Sequence, residues 1–461
     1  MRLSRTHRRI GLWALLAALV LTLGVIAGCG GGDDGEEAQA TTAAETQGEA
    51  TGEPIKIGHL STCEGPFTVF YEATVGGAIL PLIERGGTPA GSKPSDGVTG
   101  ASVAGRPVEL VWGCSDATPD KAADEARRLV EQENVDILIG PLSGSEGIAV
   151  ANYAKDHQET TFINGSSAAQ DTTLKVQAPN FFRWGSDGAQ WMAGLGAYAY
   201  NELGWRNAVV IGDDYDFPYT QGAGFVAEFC SLGGQVVKRL WPPLGTEDYT
   251  SYVAQIPSDI DGFLLNVTGT GTLAFVKAYD QLKGNLADKV VASTVSVDPN
   301  VLSELGDRVV GVVSAGPVAA DDPQLASYID AGKQAYPDVA WGGLFDALYY
   351  DAMETTLRAL EEVDGDLSDG HAKLREAITN LEYDSGHGKI TLDENRNSIA
   401  DNFLFQVVED QSGDGVPDVK SLKTIPQVDQ TFAGFFSQDT PSPDRENPKC
   451  VKATPPPWAT G

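Results

Sequence analysis

The chain has 461 residues, with 32 Lys and Arg against 64 Asp and Glu, a formal charge of −32. Nucleic-acid binding needs a basic surface, so this balance excludes it; it suits a soluble, self-repelling monomer. The sequence has no CxxC, HExxH or GxSxG and only five His, so neither a metal centre nor a nucleophilic hydrolase can be assembled, and no cofactor is called for.

The first residues carry Arg2, Arg5, Arg8 and Arg9, then an apolar run from Ile10 to Ile26, then Ala27-Gly28-Cys29. A basic start, an apolar middle and small residues at the cut mark a signal peptide over 1–28. The order of small residues and Cys resembles the bacterial lipobox, which implies lipid on Cys29 and anchoring at the outer face of the cytoplasmic membrane. An uncleaved anchor is the rival reading, but the run is near the lower limit for a bilayer span. Residues 29–53 hold almost no large apolar side chain and read as a flexible tether. Structure is expected from about Pro54.

From there strands and helices alternate. Residues 55–60 read as a strand, 70–84 as a helix, 86–106 as a loop and 108–112 as a strand. Helix 120–133, strand 135–140, helix 146–156 and strand 161–164 follow, by apolar spacing of 3.6 or by short apolar runs. The pattern restarts with helix 186–203, strand 209–211, helix 221–232 and strand 235–240. A helix at 249–256, strand 262–267, helix 273–282 and strands 290–292 and 311–314 come next. Helices 325–336, 344–362 and 371–381 precede strand 390–392, a hairpin at 403–408 and a Pro-rich tail.

Such alternation gives an α/β protein of two doubly wound, Rossmann-like lobes joined by a hinge. Lobe I is expected over 54–184 and 316–388, lobe II over 185–315 and 389–450, and a C-terminal tail over 451–461. Ligands of such sheets sit outside the carboxyl ends of the strands. With Cys29 set aside, four cysteines remain, an even number for an oxidising compartment. Three pairings are possible; proximity at neighbouring strand ends favours Cys63 with Cys114, leaving Cys230 with Cys450.

Two strand-end loops are rich in small and hydroxyl residues, Gly140-Pro141-Leu142-Ser143-Gly144-Ser145 and Asn164-Gly165-Ser166-Ser167-Ala168-Ala169-Gln170. Such loops let an anion approach backbone N–H groups, although Gly and Ser also fill ordinary turns. Together with Glu64-Gly65-Pro66, the block GCSDATPDKAADEARRLVEQENVDILIGPLSGS at 113–145, NGSSAAQDTTL at 164–174 and PNFFRWGSDGAQ at 179–190, they resemble the Leu/Ile/Val-type periplasmic binding proteins. These are type I substrate-binding subunits of ABC importers, with a Venus-flytrap fold. The resemblance runs from Ile55 to about Val408.

It implies a small-molecule solute, ABC permease subunits as partners and closure about a hinge. It also implies ligand roles residue by residue. Ser143, Gly144 and Ser145 with Ser167, Ala168 and Ala169 hold the ligand carboxylate; Phe70 and Phe217 cover it; Asp187 meets an ammonium; Gly269, Thr270 and Thr294 line the second lobe. One departure stands out: Ser293-Thr294-Val295 has no acid where binders of aliphatic amino acids carry one. The solute class therefore stays open among amino acid, amide and small carboxylate.

Blander readings stand beside these. Asp187 suits a helix start, Phe70 and Phe217 suit core packing, and His59 suits a core strand. One of Tyr349 and Tyr350 could face the cleft from a hinge-side helix. The run 410–418 has oxygen side chains at calcium-loop spacing, but Ser421 stands where the closing Glu would be, so a turn explains it. A lipid-anchored sensor would share every one of these features; a secreted hydrolase would not.

Overall fold

The computed structural model describes residues 50–460 apart from 319, 320, 324, 386 and 387. The signal peptide, Cys29 and nearly all of the tether lie outside the described residues.

The first sheet is built from β1 (Ile55–Thr62), β2 (Ser102–Val103), β3 (Arg106–Ser115), β4 (Ile137–Ile139), β5 (Thr161–Ile163) and β6 (Phe181–Phe182), in the order β2-β3-β1-β4-β5-β6. All pairs are parallel except β2 on β3. Strand β1 is buried along nearly its whole length, as a central parallel strand covered on both faces must be. Helices α1 (Tyr71–Glu84), α2 (Pro119–Arg127) and α3 (Gly144–Ala154) cross between strands. Thr118 caps α2 by accepting from Lys121 N–H, which places Pro119 at the first turn where its missing donor costs nothing.

The second sheet holds β7 (Asn207–Gly212), β8 (Gln235–Leu240), β9 (Gly262–Asn266), β10 (Val290–Ser293), β11 (Val313–Gly316), β12 (Tyr383–Ser385), β13 (Gly388–Leu392), β14 (Ser398–Val408) and β15 (Asp418–Val428). Its order is β8-β7-β9-β10-β11-β14-β13-β12, with β15 on the other side of β14. The strands from β8 to β11 are parallel and the later ones antiparallel. Helices α4 (Leu195–Asn201), α5 (Asp216–Ser231), α6 (Thr270–Lys283) and α7 (Pro299–Leu305) flank it. The chain then returns through α8 (Leu325–Ala335), α9 (Leu344–Glu362) and α10 (Ala372–Asn380). Helix α9 lies so close on α1 that a Cβ at Gly77 would sit 2.1 Å from the Asp346 carbonyl, so only Gly fits there.

Three elements differ from the sequence reading. The single helix expected over 186–203 is a short turn, Gln190–Met192, and then α4. Gly194 breaks it with φ +91°, and a Cβ there would meet Leu404 at 2.4 Å. The short hairpin expected at 403–408 is two strands of eleven residues each, β14 and β15. The loop expected over 86–106 contains a small ribbon, Thr88–Pro89 against Val98–Thr99.

The four cysteines stand in two pairs, Cys63 with Cys114 and Cys230 with Cys450, each with Cα atoms 5.3 Å apart. The tail beyond Cys450 lies against the second lobe. Trp458 donates to the buried Glu228 carboxylate at 2.6 Å and packs edge-on to Phe432. In the 410–418 turn, Asp410 accepts Gly413 and Gly415 N–H, and Asp418 accepts Gln411 and Ser412 N–H. Those carboxylates close a hairpin.

Candidate functional site

The first-sheet loops are gathered by one residue, Glu146, whose only sequence signal is the Ser-x-x-Glu spacing of a capping box. Glu146, in the first turn of α3, accepts Ser143 N–H at 3.0 Å, Ala117 N–H at 3.1 Å and the Thr62 hydroxyl at 3.3 Å. It thereby ties the ends of β1, β3 and β4 together. Its carboxyl is fully buried and burial raises its pKa. Ser143 has the extended backbone of an N-cap, φ −90° and ψ 156°, so α3 starts at Gly144. Its buried hydroxyl pairs with Glu146 in a capping box.

Asp213 does the same work in the second lobe. It ends β7, accepts the Thr268 N–H at 2.9 Å and hydroxyl at 2.7 Å, and takes the Tyr249 hydroxyl at 3.3 Å. Burial pushes its carboxyl up to about 7, against the pull of those donors. The loops after β7 and β9 are therefore fixed to each other, and they present Tyr215, Phe217 and Thr268 together.

Between the two loop sets lies a cavity of about 20 Å³, the space of about one water. Its walls carry Phe67, Phe70 and Phe345 from one side and Trp191, Tyr215 and Phe217 from the other. Phe70 and Phe345 rings are 4.1 Å apart, Phe67 and Tyr215 6.2 Å, and Trp191 and Phe217 5.6 Å. Leu142, Ser143, Ser166, Thr268 and Val295 complete it. Contacts across the cleft include Ser145 Oγ donating to Asp216 Oδ2 at 2.5 Å and Gln170 N–H to Thr220 Oγ1 at 3.2 Å.

Of the residues expected at the site, Phe70, Ser143 and Phe217 line this cavity. Gly144 backs it, since a Cβ there would meet Phe217 at 2.9 Å. Gly269, with φ +56°, lies under the Pro66 carbonyl of the facing lobe. Ser167, Ala168 and Ala169 sit one layer behind. Ser167 Oγ donates to Asn164 at 2.6 Å, the Ala168 carbonyl accepts Gly188 N–H, and the Ala169 carbonyl accepts Arg183. Thr270 is exposed at the start of α6, and Thr294 packs toward Gly316 while its neighbour Val295 faces the cavity.

Asp187 stands apart from the cavity wall. Its Oδ1 accepts Ala189 and Gln190 N–H, and its Oδ2 accepts Gln430 at 3.1 Å, with Arg183 at 3.8 Å. The carboxylate caps the turn that follows it. His59 packs between Trp112 and Tyr349 in the core, and burial lowers its pKa to about 4. Tyr349 is buried, donating to the Leu60 carbonyl at 2.9 Å, and Tyr350 donates to Glu84.

Sequence reasoning missed Phe67, Trp191, Tyr215, Val295 and Phe345. Phe67 and Tyr215 each had a usable signal, an aromatic inside a strand-end loop already singled out. Trp191 was hidden by the assumption of a continuous helix, and Phe345 by its place on a core helix.

A family model described as periplasmic binding protein matches residues 54–414. The chain belongs to the periplasmic binding protein family. Its architecture is the type I form of two α/β lobes, and the family is one of proteins that bind small solutes. The chain is 23% identical to the Leu/Ile/Val-binding protein homolog 6 of Brucella melitensis over 380 residues, 80% of this chain and 91% of that one. An ABC transporter substrate-binding protein from Sphaerobacter thermophilus is 26% identical with a TM-score of 0.72, over 82% of this chain and 99% of that one. A solute-binding protein of an ABC transporter from R. palustris, in complex with benzoate, has 21% identity and a TM-score of 0.70, over 81% and 98%.

Proposed function

We propose that this chain is the solute-capturing subunit of an ABC importer, held at the outer face of the membrane by lipid on Cys29 and acting by hinge closure. The carrying observation is the meeting of two independent sets of strand-end loops around one cavity, with ring contacts and the Ser145–Asp216 hydrogen bond crossing between them. A solute touching both sets is bound better by the closed form and so shifts the equilibrium toward it. The permease then recognises the closed form. The tether of about 24 residues keeps that form near its partner at high effective concentration.

Small carboxylates fit the site best as a class. The loops after β4 and β5 bring Ser143 and Ser166 to the cavity wall. The names borne by the relatives, a Leu/Ile/Val binder and a benzoate complex, share that group. Lobe limits near 184/185, 315/316 and 388/389 place the crossings beside Arg183, Gly316 and Asn397.

The reading is tested by thermal shift on protein refolded to remove carried-over solute, against amino acids, amides and small carboxylates. Stabilisation by at least one of them is expected, lost in Ser143→Ala with Phe217→Ala. If no small solute stabilises the chain, the proposal fails. Mass spectrometry of the membrane-bound form should find a diacylglyceryl group on Cys29; a free or absent Cys29 thiol removes the anchoring part.

A further inference from the structure

We infer that the C-terminal segment 429–450 is a latch between the lobes: it is fixed to the second sheet and held to the first-sheet side by a few polar contacts, which must break before the lobes part. This rests on capture by closure. The segment begins where β15 ends at Val428 and holds no helix or strand. The family match stops at residue 414, so the latch lies beyond it.

Both ends of the segment are secured. At its start, Gln430 donates to Thr173 at 2.7 Å and to Asp187 at 3.1 Å, within the buried polar network. At its end, Cys450 is paired with Cys230 of α5. Arg239 of β8 donates to the Pro448 carbonyl, and Trp241 donates to the Arg445 carbonyl. Arg445 also makes a two-pronged ion pair with Asp214. Asp214 immediately precedes Tyr215 of the cavity wall, so this attachment sits beside the site.

The middle of the segment reaches the other side. Lys175 Nζ donates to the Thr440 carbonyl at 2.7 Å and to Ser442 Oγ at 2.9 Å, and Ser442 Oγ donates to Asp171. Lys175 and Asp171 belong to the turn that follows the β5 loop. Gln170, next to Asp171, is the residue whose N–H crosses to Thr220. The latch therefore closes beside an existing contact between the lobes.

The two attachments differ in kind, and that difference separates a latch from a brace. A brace is held equally firmly on both sides. Here the second-sheet attachment includes a covalent bond. At the middle of the segment, the first-sheet attachment is three hydrogen bonds to side chains that water can reach, Lys175 at 27% and Asp171 at 19% exposure. When those bonds break, water takes the vacated positions and no buried group is orphaned. The bonds to the Lys175 ammonium and the Asp171 carboxylate are charge-assisted, and so stronger than neutral ones. Such contacts hold the closed form yet release without unfolding.

The test is amide hydrogen exchange, read by mass spectrometry, on the refolded mature chain without solute. Peptides over the cleft loops 141–145, 166–170 and 213–218 are compared with the core strands β1 and β7. In Lys175→Met the cleft loops are expected to exchange roughly tenfold faster, in Ser442→Ala less so, with the core strands unchanged in both. Lys449→Met removes the same charge from a pair inside the segment, with Glu446, and should change neither. Cleft loops that exchange faster than the core in the wild type, and no faster in the variants, overturn the latch and leave closure intact. An equal rise in Lys449→Met, or core strands that speed up as much as the cleft loops, also overturns the latch. Cleft loops as protected as the core in every form mean that the lobes do not part, which overturns closure as well.

Discussion

The lobes meet in two buried places made of opposite chemistry. In one, Arg183 donates to Asn397, to the Ala169 carbonyl and to Thr173, each at 2.6 Å. Gln190 bridges Ser398 and Val428, and Gln430 joins Thr173 to Asp187. In the cleft the contacts are rings with few hydrogen bonds between them. Hydrogen bonds in a dry network are directional and specify one geometry. Ring contacts are non-directional and can part and re-form. The polar network specifies one geometry, whereas the ring contacts tolerate more than one.

The largest expected effect tests the polar network. Arg183→Ala deletes three hydrogen bonds and strips Asp187 of its cation, so it should cost about 3–5 kcal/mol in chemical denaturation. A loss below about 1 kcal/mol would mean the network is incidental.

Buried acids set the next effect. Burial holds Asp213, Asp346 and Glu228 each at about 7, and raises Asp187. A carboxyl with a raised folded pKa holds its proton more tightly when folded. Stability is therefore full below the ordinary carboxylate pKa and falls as pH rises toward 7. The chain should be more stable at pH 5 than at pH 8, by on the order of 2 kcal/mol for each such group, read from melting temperatures. Asp213→Asn should flatten part of that slope; an unchanged slope would remove Asp213 from the account.

Smaller effects belong to the cleft. Phe217→Leu should cost less than about 1.5 kcal/mol of stability yet weaken solute binding roughly tenfold or more. Should it unfold the chain as readily as Arg183→Ala, the two regions are not different in kind. Ser145→Ala removes the hydroxyl's two bonds to Asp216 across the cleft and should leave the melting temperature within about 2 °C while changing solute affinity about fivefold or less.

The fold was readable because parallel strands buried on both faces leave short apolar runs, such as Val135 to Gly140, and crossing helices leave amphipathic ones. The strand-end loops were readable for the same reason, and Ser143 and Phe217 with them. What escaped were residues defined by distant partners. Asp187 looks from the sequence like an acid at a helix start, and it is one. Nothing local shows that Gln430, more than two hundred residues on, takes its remaining oxygen. Gly194 looked tolerable inside a helix until Leu404 and Ile425 from the β14–β15 hairpin came against it. Glu146 shows locally only as the third residue after Ser143 in a capping box; Thr62 and Ala117 come to it from other loops.

The most direct test of capture by closure is small-angle X-ray scattering of the refolded mature chain, with and without the tightest-binding solute. The account predicts a smaller radius of gyration on binding, and no change in a Ser143→Ala, Phe217→Ala double variant. Tight binding with an unchanged radius, or a contraction that survives in the double variant, would contradict it.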